Sequence, residues 1–259
     1  MAALSALPQH GAPAQALSGR TALLTGATGG LGAGFAEGLA RAGAEVVLMA
    51  RDGARLDALR AGLRDGEHRV RTVACDVSDV SATAGAIEQL DRLDILVNNA
   101  GANMPEPFLD VTPERYDRVT DLNVRGAFFC AQAAARKMVA AQGGVIVNVT
   151  SQMGHVGGRQ RSVYCATKHA LEGLTKAMAL DLAPQGVRVC SLAPTYVHTP
   201  MTAPYLADPE FRADTEARIP AGRVAEVDDV VGALIFLVSP AARFVCGSSL
   251  LVDGGYTAQ

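Results

Sequence analysis

From Arg20 onward the chain alternates short apolar runs with longer amphipathic stretches. "TALLTG" is followed by "LGAGFAEGLARAG" and "EVVLMA", the pattern of a strand, a helix and a strand. The series continues with "RVRTVACD", a helix around 79–91, "LDILVNNAG", a long helix over about 112–141 and "GVIVNVTS". A helix over about 162–183, "VRVCSLAP", a helix over about 226–239 and "SSLLVDGG" complete it. The strand runs are too continuously apolar for one face to be wet, so helices must cover both faces. Seven such strands predict an α/β fold built on a doubly wound, seven-stranded parallel sheet. Residues 195–223 break the rhythm with Pro200, Pro204, Pro209 and Pro220, and read as an irregular lid over a binding site. Residues 1–17 carry no Lys, no Arg and no sustained apolar run. They read as a flexible extension before a single domain spanning 18–259.

In a sheet of this kind ligands bind at the carboxyl ends of the strands. The first strand ends in "TGATGGLG", where Gly26, Gly30 and Gly32 lead into a helix. Glycines there let backbone amides and a helix N-terminus approach a pyrophosphate, although the spacing departs from G-x-G-x-x-G. A glycine turn without nucleotide is the plain alternative. The third strand ends at Asp76, whose carboxylate suits an adenine amino group, and the fourth at "NNAG", with Asn98, Asn99 and Gly101 beside a ribose. A helix cap and structural amide bonds are the plain readings of these residues. An acid that binds a ribose diol belongs about 20 residues after the glycine turn. Met49, Ala50 and Arg51 stand there instead, and the planar guanidinium of Arg51 suits a 2′-phosphate, which favours NADP(H) over NAD(H).

Composition narrows the partners. The 259 residues are 49% hydrophobic and 19% charged with a net charge of −3, so nothing points to nucleic acid or an anionic membrane surface. A small-molecule substrate is the better expectation. Five scattered cysteines, without a CxxC pair, read as reduced packing residues of a cytoplasmic protein, with no metal-ligand spacing.

The chemistry concentrates in "SQMGHVGGRQRSVYCATK", residues 151–168. Tyr164 and Lys168 are four apart on one helix face, and Ser151 sits thirteen residues earlier at a strand tip. Lysine is rare in a chain with twenty arginines and three lysines, which suits a specific task. An ammonium and an oxidised nicotinamide ring beside Tyr164 would lower its phenol and let it exchange a proton with an alcohol. Ser151 would donate to the substrate oxygen. Asn123, a polar residue in the apolar helix "DRVTDLNVRGAFF", is a candidate to hold a water next to Lys168; a buried amide satisfying nearby carbonyls is its plain reading.

TGATGGLG, CDV, NNAG, Asn123, Ser151, YCATK and PTYVHT, in this order, resemble the short-chain dehydrogenase/reductase family from about residue 18 to 257. The resemblance implies a Rossmann-like NAD(P)(H)-dependent oxidoreductase interconverting a secondary alcohol and a ketone, usually a homotetramer, with Asn123, Ser151, Tyr164 and Lys168 as catalytic tetrad. It implies further that Thr28, Leu31, Val77, Ala100 and Pro194 join the cofactor site and that Val197 and Thr199 contact the carboxamide of the nicotinamide. The family's usual Pro-Gly is replaced by Pro194-Thr195, which reshapes the pocket floor. The C-terminal run and "SQMG" resemble gluconate and deoxygluconate dehydrogenases, and 3-oxoacyl-carrier-protein reductases look nearly as similar. Gln152, His155, Arg159 and Arg161 before Tyr164, and Tyr196, His198, Met201 and Tyr205 in the lid, are the substrate-contact candidates. A non-catalytic nucleotide-binding scaffold on the same fold is the reading from another class.

Overall fold

The structure, a computed structural model, describes residues 15–63 and 69–258. Seven parallel strands form one sheet: β1 (Thr21–Thr25), β2 (Glu45–Ala50), β3 (Val70–Ala74), β4 (Ile95–Asn98), β5 (Gly144–Val149), β6 (Val187–Pro194) and β7 (Ser249–Val252). Their order is β3-β2-β1-β4-β5-β6-β7, so the chain reverses direction across the sheet between β1 and β4. That switch point opens a crevice at the strands' carboxyl ends. The helices are α1 (Gly30–Arg41), α2 (Gly53–Gly62), α3 (Val80–Glu88), α4 (Pro113–Thr120), α5 (Ala127–Ala140), α6 (Ser162–Leu182), α7 (Ala203–Leu206), α8 (Pro209–Ala217) and α9 (Val227–Val238).

Successive residues of the central strands serve opposite cores. Leu24, Val46 and Leu48 pack with Phe35 and Leu39 of α1 and Leu234 of α9. Leu23, Val47 and Met49 pack with Ile87 of α3 and Cys130, Ala134 and Met138 of α5. Both strand faces are therefore buried, which is why the sequence runs are apolar throughout instead of alternating.

Three expectations need correction. A helix, α2, lies between β2 and β3 where the pattern indicated none; Leu56 is its sole fully buried residue, so it carries little apolar periodicity. The expected long helix over 112–141 is α4 and α5 joined by a π-helical turn, Asp121–Gly126, an interruption that a 3.6-residue period does not reveal. The segment 195–223 is not irregular: α7 and α8 lie within it, each with a proline in its first turn, where the missing N–H costs nothing. Of the expected extension over residues 1–17, the structure describes only the part from Gln15 onward. Leu17 is fully buried and its N–H bonds the Ala42 carbonyl at 2.8 Å, while the rest of the supposed extension up to residue 14 lies outside the described residues.

Candidate active site

A cavity of about 360 Å³ runs along the carboxyl ends of the strands from the glycine turn to the start of α6. At its first end, Gly26 takes φ +63°, and a Cβ there would lie 2.8 Å from the Ala100 Cα. A Cβ at Gly32 would collide with the Gly26 carbonyl, and one at Gly30 would come within 2.6 Å of the Thr199 side chain. The turn thus needs its glycines twice, for a left-handed bend and for close approach. It is fastened to the tip of β4: the Thr25 hydroxyl accepts from the N–H groups of Asn99 and Ala100, both at 3.0 Å. The Asn99 amide in turn donates to the carbonyls of Thr25 and Gly26 at 3.0 and 3.2 Å. Asn98 stands outside the cavity and bonds the Ala127 carbonyl and the Asn148 side chain, the structural role that was its plain reading.

Asp76 lines the cavity and accepts from the N–H and hydroxyl of Ser78 at 2.9 and 2.7 Å. Burial opposes its charge, but these bonds and the nearby Arg51 hold its carboxyl below the usual range. It does not cap α3; Asp79 does, accepting from the Ala82 N–H. Arg51 is largely exposed, 3.9 Å from Asp76, and Arg55 joins it: its Nη2 donates to the Thr28 carbonyl of the glycine turn at 2.8 Å. Arg55 escaped the sequence reading because α2 did. Asp52, which caps α2 through the Arg55 N–H at 3.1 Å, was the available signal for a helix starting there.

At the other end, Ser151 stands just beyond β5 and caps a short 3₁₀ turn, its Oγ accepting from the Met153 N–H at 3.1 Å while its hydroxyl also meets the Tyr164 phenol. Tyr164 and Lys168 project from the first turns of α6, with the Lys168 Nζ 5.5 Å from the centre of the Tyr164 ring. Nζ donates to the Val149 carbonyl at 2.9 Å. Burial pulls the Lys168 ammonium down to about 8 against the opposing effect of Glu172. Burial likewise pushes the Tyr164 phenol up to about 12, against the Ser151 hydroxyl and the Arg161 cation. The protein's own groups therefore raise this phenol, because desolvation outweighs the Arg161 cation.

Asn123 lies in the π-helical turn, 1% exposed. Its side-chain amide accepts from the Ala102 N–H at 2.8 Å and donates to the Ala102 carbonyl at 2.9 Å and the Thr167 hydroxyl at 3.1 Å. The amide is fully engaged in holding the β4 tip against α6. A Cβ built on Gly101 would be 3.3 Å from the Asn123 Oδ1 and 3.7 Å from the Lys168 Nζ, which shows how tightly the three elements meet.

Of the substrate candidates, Gln152, Arg161, Tyr196, Met201 and Tyr205 line the cavity, as do Leu31, Val77, Pro194, Val197 and Thr199 of the cofactor set. Three candidates do not. His155 turns away to the Ser249 hydroxyl at 3.0 Å and the Glu172 carboxylate at 3.3 Å, drawn by that buried acid. Arg159 is exposed on the loop, and His198 faces Glu226 at 3.8 Å. Thr195 and Asn103 line the cavity in their place.

Known proteins show the same arrangement of chain. The family model described as enoyl-(acyl carrier protein) reductase matches residues 26–257. Bovine L-xylulose reductase is 43% identical over 93% of this chain and 98% of its own length. The chain belongs to the short-chain dehydrogenase/reductase family. Gluconate 5-dehydrogenase of Gluconobacter oxydans is 40% identical, covering 93% of this chain and 96% of its own. Among solved structures, a gluconate 5-dehydrogenase from Burkholderia cenocepacia in complex with NADP and tartrate superimposes with a TM-score of 0.91 at 37% identity, covering 94% of this chain and 97% of that one. This chain is accordingly an oxidoreductase interconverting alcohols and ketones.

Proposed function

We propose that the protein is an NADP(H)-dependent dehydrogenase/reductase of a small polar hydroxy or keto compound, with Tyr164 as its proton-transfer group. The observation that carries this reading is one cavity with Arg51 and Arg55 at one end and Ser151, Tyr164 and Lys168 at the other. The fit to a dinucleotide is supported by the glycine cradle, which a Cβ at Gly26 or Gly30 would fill, and by two guanidinium groups suited to a 2′-phosphate. When bound, NADP(H) supplies or accepts the hydride.

The chain's own residues do the rest. Ser151 donates to the substrate oxygen and so polarises the carbonyl. Tyr164, with a phenol held up near 12, stays protonated across the neutral range and is an acid ready to give its proton to the alkoxide in the reductive direction. Lys168, charged below about pH 8, stands over the tyrosine ring and stabilises negative charge there. Asn123 fixes the distance between the β4 tip and α6, and hence the position of Lys168.

Relatives named L-xylulose reductase and gluconate 5-dehydrogenase act on a neutral sugar and a sugar acid, so the likeness supports a small polar substrate and leaves its charge open. Three cysteines buried as free thiols support a reducing, cytoplasmic setting. Leu180, Phe244 and Leu109 are exposed apolar residues that support self-association, and we assign a homotetramer, to be measured by light scattering. The test of function is a spectrophotometric panel: purified protein with NADPH or NADP⁺ and ketones, sugars, sugar acids and acyl thioesters. Turnover of a small hydroxy or keto compound with preference for NADP(H) is the expected result. Turnover of acyl thioesters alone would move the assignment to an acyl-carrier-protein reductase, and cofactor binding without any turnover to a scaffold.

A further inference from the structure

Five buried side-chain polar atoms lack a hydrogen-bond partner among the described residues: Asn98 Oδ1, Asn103 Oδ1, Gln152 Oε1, Arg161 Nε and Thr195 Oγ1. Four of the five residues line the catalytic cavity. Buried polar groups in folded proteins are nearly always paired, so four such residues around one cavity mark groups that a ligand completes.

Arg161 decides what that ligand carries. It is 7% exposed and stands at the N-cap of α6, three residues before Tyr164. Its guanidinium lies over the Tyr205 ring, 5.2 Å from the centre, which fixes its orientation. Its one hydrogen bond is a long one, 3.4 Å from Nη1 to the neighbouring Gln160 carbonyl. No carboxylate among the described residues pairs with it. Glu106 is committed to Arg115 at 3.0 Å, Glu172 to His155 and three hydroxyls, and Asp253 to the N–H and hydroxyl of Thr257. An arginine cannot shed its proton to escape burial, so its charge must be met by an anion from outside the fold.

The other three atoms call for hydroxyl groups. Gln152 Oε1 and Asn103 Oδ1 are acceptors without donors, and Thr195 adds a hydroxyl that gives and takes, on a residue held by its N–H to the Val252 carbonyl at 3.1 Å. Building on the oxidoreductase reading, we propose that the substrate is a small polyhydroxylated carboxylate. Its carboxylate pairs with Arg161, and its hydroxyls satisfy Gln152, Asn103 and Thr195. Because Arg161 and Tyr164 are neighbours on one wall, the carboxylate and the reacting carbon belong to one small molecule.

Matched pairs of equal carbon number test this: gluconate against sorbitol, threonate against erythritol and glycerate against glycerol. Each is assayed for turnover with NADP⁺ and for binding to the NADPH-loaded protein by calorimetry. The wild type should favour at least one carboxylate over its polyol about 100-fold or more in kcat/KM, chiefly through KM. Arg161→Met should collapse that ratio to within about tenfold, and Arg161→Lys, which keeps the charge but loses the fork, should retain part of it. Thermal melts of both variants report folding, and binding of NADPH reports an intact cofactor end. Equal handling of acids and polyols by the wild type, or an unchanged ratio in Arg161→Met, overturns the proposal while leaving the oxidoreductase reading in place. Carboxylate binding that depends on Arg161 without any turnover supports the anion site and overturns that reading instead.

Discussion

The two ends of the cavity are built on opposite principles. The nucleotide end is made of backbone: a left-handed Gly26, glycines too close to neighbours to carry a Cβ, and amide bonds between the tips of β1 and β4. Its charged side chains, Arg51 and Arg55, reach in from solvent. The other end is made of side chains, Ser151 and Lys168 buried and Tyr164 half-buried, and desolvation favours the neutral forms of Lys168 and Tyr164. An exposed rim of cations tolerates substitution with a graded loss of affinity, whereas the Tyr164 hydroxyl, in the proton-transfer role proposed for it, has no substitute. Affinity and turnover should therefore separate between the rim arginines and Tyr164, while Lys168, which faces both, should touch each.

The largest separation is expected from Tyr164→Phe, which removes the proton and keeps the ring. Turnover should fall about 10³-fold or more while NADPH binding, followed by fluorescence, stays within about threefold. Substantial remaining activity would remove Tyr164 from its role.

Next comes the polar core behind the chemical end. Glu172 takes hydrogen bonds from Thr150 at 2.5 Å, Ser191 at 2.7 Å and Ser249 at 3.1 Å, tying α6 to β6, β7 and the segment leading to Ser151. Glu172→Leu strips all three hydroxyls of their shared acceptor and should cost about 3 kcal/mol in urea unfolding. A loss below about 1 kcal/mol would show that the network contributes little.

At the nucleotide rim the effects should be smaller and should act on cofactor choice. Arg51→Asp is expected to lower the preference for NADP(H) over NAD(H) about tenfold in kcat/KM, and adding Arg55→Ala about tenfold more. An unchanged preference in the double variant would mean that the 2′-phosphate is held elsewhere.

The smallest effect is a pH dependence. Lys168 carries its charge below about pH 8 in the free protein and loses it above. Affinity for NADPH should therefore weaken by less than about tenfold per pH unit as pH rises through about 8. Lys168→Met should bind more weakly at neutral pH and show no such inflection.

Much of the fold was legible in the chain. Continuous apolar strands separated by amphipathic stretches lead to a parallel sheet covered on both faces, since no other arrangement buries them. What escaped was the element with little burial, α2, and the local winding at Asn123, since one extra residue in a helical turn leaves composition unchanged. The meeting of Ser151, Tyr164 and Lys168 along one cavity was readable from spacing, because two lie on one helix face and the third at a strand tip. His155, Arg159 and His198 were not separable from Arg161 by sequence position, since the direction of a loop side chain is set by its partners. Arg55 was hidden with the helix that carries it.

The sequence by itself determined the order of elements and the residue types able to do the chemistry, because hydrophobic period and helical spacing are local properties. The tertiary structure alone decided which charges are met and which are left open. Glu172 meets His155, while Arg161 has no carboxylate partner among the described residues, and both outcomes depend on groups far apart in the chain brought to within a few ångströms.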